Sequence, residues 1–252
     1  MSRREPRRAL VTGGAAGIGA AVVRALAAQG AHVTVADRAD EPAQALAGEV
    51  GGEAWVVDLA DTPALEQALA ERAPDVDVLV CNAGVQRVAP LTQADPEDFR
   101  LVQRLMVEAP FLLTRAVLPG MYERGWGRIV HLSSAHGRRA SPHKAAYVTA
   151  KHAIEGLSKV TALEGAEHGV TSNCVSPGYV RTALVEQQIA DQATIHGVAP
   201  EAVVHDVLLA GTALKRLIEP EEVAGIVAYL ASPAAGAVTG ASWSVDGGWT
   251  AH

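Results

Sequence analysis

The sequence is short of cysteine: Cys81 and Cys174 are the only two, far apart and without a Cys-x-x-Cys spacing. That argues against a disulfide scaffold and a structural zinc site, and both read as buried core thiols. Positive charge is not in surplus either, with 21 Lys and Arg against 28 Asp and Glu and a net charge of −7, which removes the usual footing for nucleic-acid binding. No stretch reaches the roughly 18 uninterrupted apolar residues of a membrane span. Even the Ala-rich segment 18–36 is broken by Arg24, Gln29 and His32. The basic opening Ser2–Arg8 runs into a glycine-rich turn rather than an apolar segment, unlike a secretory signal. Internal repeats, low-complexity tracts and linkers are missing as well. The expectation is a soluble cytoplasmic protein with no nucleic-acid or membrane partner, one domain across residues 1–252, and 49% apolar residues to build its core.

What is present is an alternation. Short β-branched runs at 9–11, 32–36, 54–57, 76–81, 128–132, 170–175 and 243–245 are separated by Ala/Leu-rich segments at 18–29, 41–48, 63–72, 96–124 and 145–168, and by a helix opened by Glu219-Pro220-Glu221-Glu222. This predicts an α/β, doubly wound (Rossmann) fold: a seven-stranded parallel sheet with helices on both faces. Residues 181–213, after the sixth strand, are too long for an ordinary connection. They lie on the carboxyl edge, where such folds bind ligands, and are expected to form a helical substrate lid.

Thr12-Gly13-Gly14-Ala15-Ala16-Gly17-Ile18-Gly19 follows the first strand and opens the first helix. Glycines bring the backbone close to a pyrophosphate, and the helix start favours its charge. The expected contacts are Thr12, Gly13, Gly17, Ile18 and Gly19. Asp37 ends the second strand, 18 residues after Gly19. There an acid accepts from ribose hydroxyls and repels a 2′-phosphate, which favours NAD over NADP, although neighbouring Arg38 can soften the preference. Asp58, followed by Leu59, ends the third predicted strand and reads either as an adenine contact or as a solvated acid.

Ser134 follows the fifth strand, Tyr147 comes thirteen residues later, and Lys151 lies at i+4 from Tyr147 on the same helical face. A nearby ammonium stabilises phenolate, suiting a tyrosine that exchanges a proton near neutral pH. Together with Thr12–Gly19 and Cys81-Asn82-Ala83-Gly84, these residues resemble the short-chain dehydrogenase/reductase family along the whole chain. The resemblance implies that Tyr147 is the acid/base, that Ser134 steadies the substrate oxygen, and that Lys151 holds the cofactor ribose and lowers the tyrosine pKa. It also implies cofactor contacts from Asn82, Ala83 and Gly84 and from the loop Pro177-Gly178-Tyr179-Val180-Arg181-Thr182, with Val180 and Thr182 on the carboxamide. One family position departs: Met106 stands where an asparagine is usual. That asparagine implies a helix kink whose freed carbonyl holds a water leading to the lysine. Pro110, four residues on, has no N–H to give the Met106 carbonyl, so either the proline provides the kink or Met106 is simple packing.

Residues 135–144 are unusually cationic for an acidic chain, suiting an anionic substrate. Here the likeness narrows. Gly84-Val85-Gln86, Ser133–Gly137, Ser141–Tyr147, Val185–Ile189 and Asp246–Ala251 resemble the short-chain dehydrogenases that oxidise D-3-hydroxybutyrate, although Tyr179 stands where a tryptophan is usual. That likeness implies a substrate carboxylate held by Gln86, His136, Lys144 and Gln188, with Trp249 nearby and Ser134 and Tyr147 at the hydroxyl. Arg138 and Arg139 read as a solvated loop or a subunit contact. The family implies a homotetramer joined through 96–124, 145–168 and 234–252. His32, His168, His196 and His205 lack ligand spacing, and no metal is expected. The alternatives are a different hydroxy acid, a neutral alcohol, a 3-oxoacyl thioester, or a non-catalytic NAD sensor.

Overall fold

The computed structural model describes residues 6–71, 73–183, 185, 186, 189, 193, 199 and 202–251, apart from the side chain of His205. The strands are β1 (Arg8–Thr12), β2 (His32–Asp37), β3 (Glu53–Val56), β4 (Val78–Cys81), β5 (Gly127–Leu132), β6 (Val170–Pro177) and β7 (Ser242–Val245). They form one parallel sheet in the order β3-β2-β1-β4-β5-β6-β7. The order reverses between β1 and β4, which opens a crevice at their carboxyl ends.

Alternate residues of the central strands go to opposite faces. Ala9, Val11, Val78 and Val80 pack under α1 (Gly17–Ala28), α2 (Asp40–Val50) and the late helix Pro220–Leu230. Leu10, Leu79, Cys81 and Ile129 pack under α3 (Thr62–Glu71) and the helix Ala109–Arg124. Strands covered on both faces read as unbroken apolar runs, which is why these stand out in the sequence. Every residue of β4, β5 and β6 is buried, whereas the outer strands β3 and β7 are partly exposed. Each fully buried valine or leucine here contributes about 1.5–3 kcal/mol. Both cysteines are free and buried. Among the described residues, no helix is long and apolar enough to cross a membrane.

The long helical segment 96–124 is three pieces: α4 (Pro96–Gln103), a π-helical turn at Arg104–Glu108, and α5 (Ala109–Arg124). Ala109 N donates to Arg104 O, five residues back. The chain therefore does not break at Pro110; it widens around Met106, beside a proline unable to donate to that carbonyl. α6 (Ala145–Gly165) ends in a 3₁₀ turn at Ala166–His168, and α7 is Pro220–Leu230. The α7 start carries a capping box between Glu219 and Glu222.

Asp58 lies two residues beyond β3, not at its end, and its Oδ1 accepts from Ala60 N at 2.9 Å. Of the expected lid, Val185, Ile189, Val203, Leu208 and Leu209 form a separate apolar cluster with Leu217 against Tyr179. Gln188 and His196 lie outside the described residues. His32 sits 3.3 Å from Glu53, and His168 stacks on Tyr122 at 4.0 Å between ring centroids.

Candidate active site

The crevice at the carboxyl ends of β1 and β4 is a cavity of about 530 Å³. Its floor begins at the glycine turn. Gly13 and Gly17 hold φ of +59° and +53°, in the left-handed region that favours glycine. α1 begins at Gly17 with no side-chain cap at Ala16 and no acid in its first turn. α4, by contrast, is capped by Asp95, which accepts from Glu97 N at 2.8 Å. An uncapped, uncharged helix start leaves N–H donors for an anion, which suits the pyrophosphate of a dinucleotide. Asp37 Oδ2 accepts from Ala15 N at 3.1 Å and Oδ1 from Ala39 N at 3.0 Å, so this acid is fixed beside the glycine turn.

Thr12 and Asn82 hold the glycine turn in place. Thr12 Oγ1 accepts from Asn82 N at 2.9 Å and Ala83 N at 3.1 Å. Asn82 Nδ2 returns two bonds, to Thr12 O at 3.0 Å and Gly13 O at 2.9 Å. The glycine turn is thereby tied to the end of β4. Thr12 and Gly19 lie behind the lining, whereas Gly13, Gly17, Ile18, Asp37, Asp58, Leu59, Asn82, Ala83, Gly84, Pro177, Gly178, Val180 and Thr182 line the cavity. Val180 pairs with Ile218 in an isolated bridge, which places Thr182 against Gly17 across the mouth.

Ser134, Tyr147 and Lys151 meet at the inner end. Ser134 caps the 3₁₀ turn Ala135–Gly137, its Oγ accepting from His136 N at 3.1 Å, and it is hydrogen-bonded to Tyr147. Lys151 is buried, donates to Leu132 O at 2.5 Å, and lies 5.4 Å from the centre of the Tyr147 ring. Burial pushes Tyr147 up and the Ser134 bond opposes it. Tyr179 adds to the upward shift, and Lys151 is not among the groups that set it. Burial likewise pushes Lys151 down, to about 8. Met106 is buried beneath Tyr147 with Val102, Ala146 and Ala150, so its side chain is packing.

At the outer end, His136, Lys144, Gln86 and Trp249 line the same cavity. His136 Nε2 is 3.0 Å from Ser141 Oγ, and its ring stands 5.2 Å from Trp249 and 6.1 Å from Tyr147. Burial, reinforced by the Lys144 ammonium, pushes His136 down to about 4. Its ring is neutral at neutral pH and hydrogen-bonds without adding charge. Arg87 also lines the cavity but is paired with Asp98 at 2.9 Å; the other cation of this end is Lys144, whose Nζ lies 5.6 Å over the Tyr179 ring, a partner the sequence offered only as a departure from the family. Arg138 and Arg139 turn away: Arg138 Nη1 donates to Ser244 Oγ at 2.6 Å and Arg139 Nη2 to Thr250 O at 3.4 Å. They brace the turn that carries Trp249.

Two further features were not foreseen. His143 adopts a φ of 67°, and its carbonyl accepts from Ala89 N at 2.9 Å, which joins the Gln86 loop to the Lys144 loop. Glu155, one turn past Lys151, is buried; its i+4 spacing from the lysine was the available signal. No three metal-ligating side chains converge among the described residues.

A family model described as enoyl-(acyl carrier protein) reductase matches residues 13–250. D-beta-hydroxybutyrate dehydrogenase of Rhizobium meliloti (strain 1021) is 40% identical over 98% of this chain and 99% of its own. Acetoacetyl-CoA reductase of the same organism is 37% identical over 96% and 98%. A solved Beutenbergia cavernae structure, described as an NAD(P)-dependent gluconate 5-dehydrogenase with NADP at low occupancy, superposes with a TM-score of 0.86 at 36% identity, covering 98% of both chains. A glycine turn on an uncapped helix, a serine–tyrosine–lysine group at the inner end of one crevice, and full-length relatives of this kind make the chain an oxidoreductase of the short-chain dehydrogenase/reductase family.

Proposed function

We propose that the chain oxidises (R)-3-hydroxybutyrate to acetoacetate with NAD, reversibly. The observation that carries this reading is a half-buried cation, Lys144, that lines the same cavity as neutral His136, Gln86 and Tyr147. A carboxylate at Lys144 and a hydroxyl at Ser134 and Tyr147 fix both ends of a short acid, which leaves C3 one orientation toward the nicotinamide side. Gln188 belongs to the same proposed carboxylate site. The bound dinucleotide supplies the hydride acceptor. Tyr147, as phenolate, takes the hydroxyl proton while the C3–H bond breaks. Ser134 holds the same oxygen, and Lys151 keeps the phenolate and the ribose in place. In the reverse direction Tyr147 returns the proton.

NAD is favoured over NADP by Asp37, whose carboxylate is held at the adenosine end by two backbone donors and would meet a 2′-phosphate charge to charge. The proposal includes a homotetramer. It is supported by an apolar stripe at Phe99, Phe111, Val160 and Leu163 on the outer faces of α4, α5 and α6, each at least 40% exposed.

The deciding assay is NADH formation with (R)-3-hydroxybutyrate, run beside the (S)-enantiomer, NADP⁺, a neutral secondary alcohol and, in reverse, acetoacetyl-CoA. Turnover confined to the (R)-acid and NAD⁺ is expected; preference for the thioester or for a neutral alcohol would overturn the assignment. Lys144→Ala is expected to raise KM for the acid at least tenfold, in line with one charged hydrogen bond, with KM for NAD unchanged. An unchanged acid KM would remove Lys144 from the site.

A further inference from the structure

The polar face of α6 does not end at Lys151. One turn on, Glu155 is only 8% exposed. Its Oε1 accepts from Ser176 Oγ on β6 at 3.0 Å and from Ser242 Oγ on β7 at 2.9 Å, and the two hydroxyls are 2.9 Å apart. Two hydroxyl protons converging on one oxygen suit an ionised carboxylate, which only accepts. Glutamate is almost never buried to this degree unless it is paired.

The neighbouring charge in need of a counter-ion is Lys151. Its ammonium is buried, with one carbonyl bond to Leu132 O. Titratable groups face it from several elements. From β5, His131 is pushed down to about 4 and is neutral. From β6, burial pushes the Cys174 thiol far up, so it carries no charge. On α6, Tyr147 is pushed up and is a neutral phenol without ligand. Lys144, at the mouth, carries the same sign. Glu155, at i+4 from Lys151 on the same face of α6, is the carboxyl group among these neighbours, and after Cys174 it is the group that raises the lysine against the effect of burial.

We infer that Glu155 is a positioning residue for Lys151: its carboxylate, fixed by Ser176 and Ser242, keeps the buried ammonium charged over the working pH range. The inference rests on Lys151 serving the cofactor and Tyr147, and it holds for any substrate of this crevice. Ser176 immediately precedes Pro177-Gly178, so the same carboxylate joins α6 to the strand that delivers the nicotinamide-side loop.

Glu155→Gln keeps the size and hydrogen-bonding capacity of the side chain and removes the charge. Without it, Lys151 gives up its proton at lower pH. The basic limb of kcat/KM, and that of NADH affinity measured without substrate, should therefore both move down by about one pH unit. That is about a tenfold loss on the alkaline side, with values within about twofold of the parent below neutral pH. Glu155→Asp, which retains the charge, should keep the parental limb. Coincident profiles for Glu155→Gln and the parent, an equal loss at every pH, or a shift as large in Glu155→Asp would each overturn the inference, the last two by pointing to shape rather than charge. The NADH arm reads Lys151 without any hydroxy acid, so a wrong substrate assignment leaves this test intact.

Discussion

Tyr147→Phe should lower kcat by at least a hundredfold and leave NADH affinity within about twofold of the parent. Removing a general acid/base costs about 10²–10⁴ in rate, and no other described group in this crevice is placed to replace it. His136 is neutral but bonded to Ser141, with its ring centre 6.1 Å from that of Tyr147, and the Ser134 hydroxyl, though close by, ionises far less readily than a phenol. The phenylalanine ring preserves the contacts with Met106, Val102 and Ala150, so the fold is expected to persist. Steady-state turnover beside an equilibrium NADH titration separates the two quantities. Retained turnover would move the acid/base role to another side chain, and a large loss of NADH affinity would show that the hydroxyl serves the cofactor more than the chemistry.

Gly19→Ala should weaken the cofactor at least a hundredfold, although Gly19 does not line the cavity. A Cβ at this position would lie 2.0 Å from Gly13 O and 2.7 Å from Asn82 Nδ2. Both are anchors of the turn: Asn82 Nδ2 donates to Gly13 O at 2.9 Å, and the backbone carbonyl cannot rotate aside as a long side chain would. The turn must open, and the N–H groups at the start of α1 lose their common aim. Overpacking of this kind costs about 1–3 kcal/mol of stability, which a thermal melt would register, while NADH titration reads the functional loss. Parental NADH affinity in the variant would mean that the turn has slack absent from its hydrogen bonds.

The sheet was legible because its central strands are covered on both faces, and double coverage demands runs such as Val78–Cys81 with no polar interruption. The glycine turn and the Ser134, Tyr147 and Lys151 group were legible for a related reason: each needs a fixed residue type at a fixed spacing. Direction was harder to read than position. Thr12, read from the glycine turn, and Asn82, read from the family resemblance, were legible as positions, but only the fold shows that their side chains bond main-chain groups of the turn and of the end of β4. Residues 135–144 read as a cationic patch, but burial leaves His136 uncharged and the arginines reach toward the C-terminal turn. Glu155 escaped notice because an acid on a helix is ordinarily solvated, and only the packing of β6 and β7 encloses it.

The π turn at Arg104–Glu108 also sets rotational phase. Val102, Met106, Pro110, Leu113, Val117 and Met121 are all buried, spread over nineteen positions from first to last. Five turns of α-helix use about 18 residues. The wide turn absorbs the odd residue, so α4 and α5 present one continuous seam to the interior despite a repeat that an ordinary helix would let drift. Closing it by a regular turn would rotate one half against the other by about 100°. Either Met106 would swing from beneath Tyr147, or Leu113 would leave the sheet. The spare residue thus works as an angular shim, through which the pocket and the core are aligned independently along one rod.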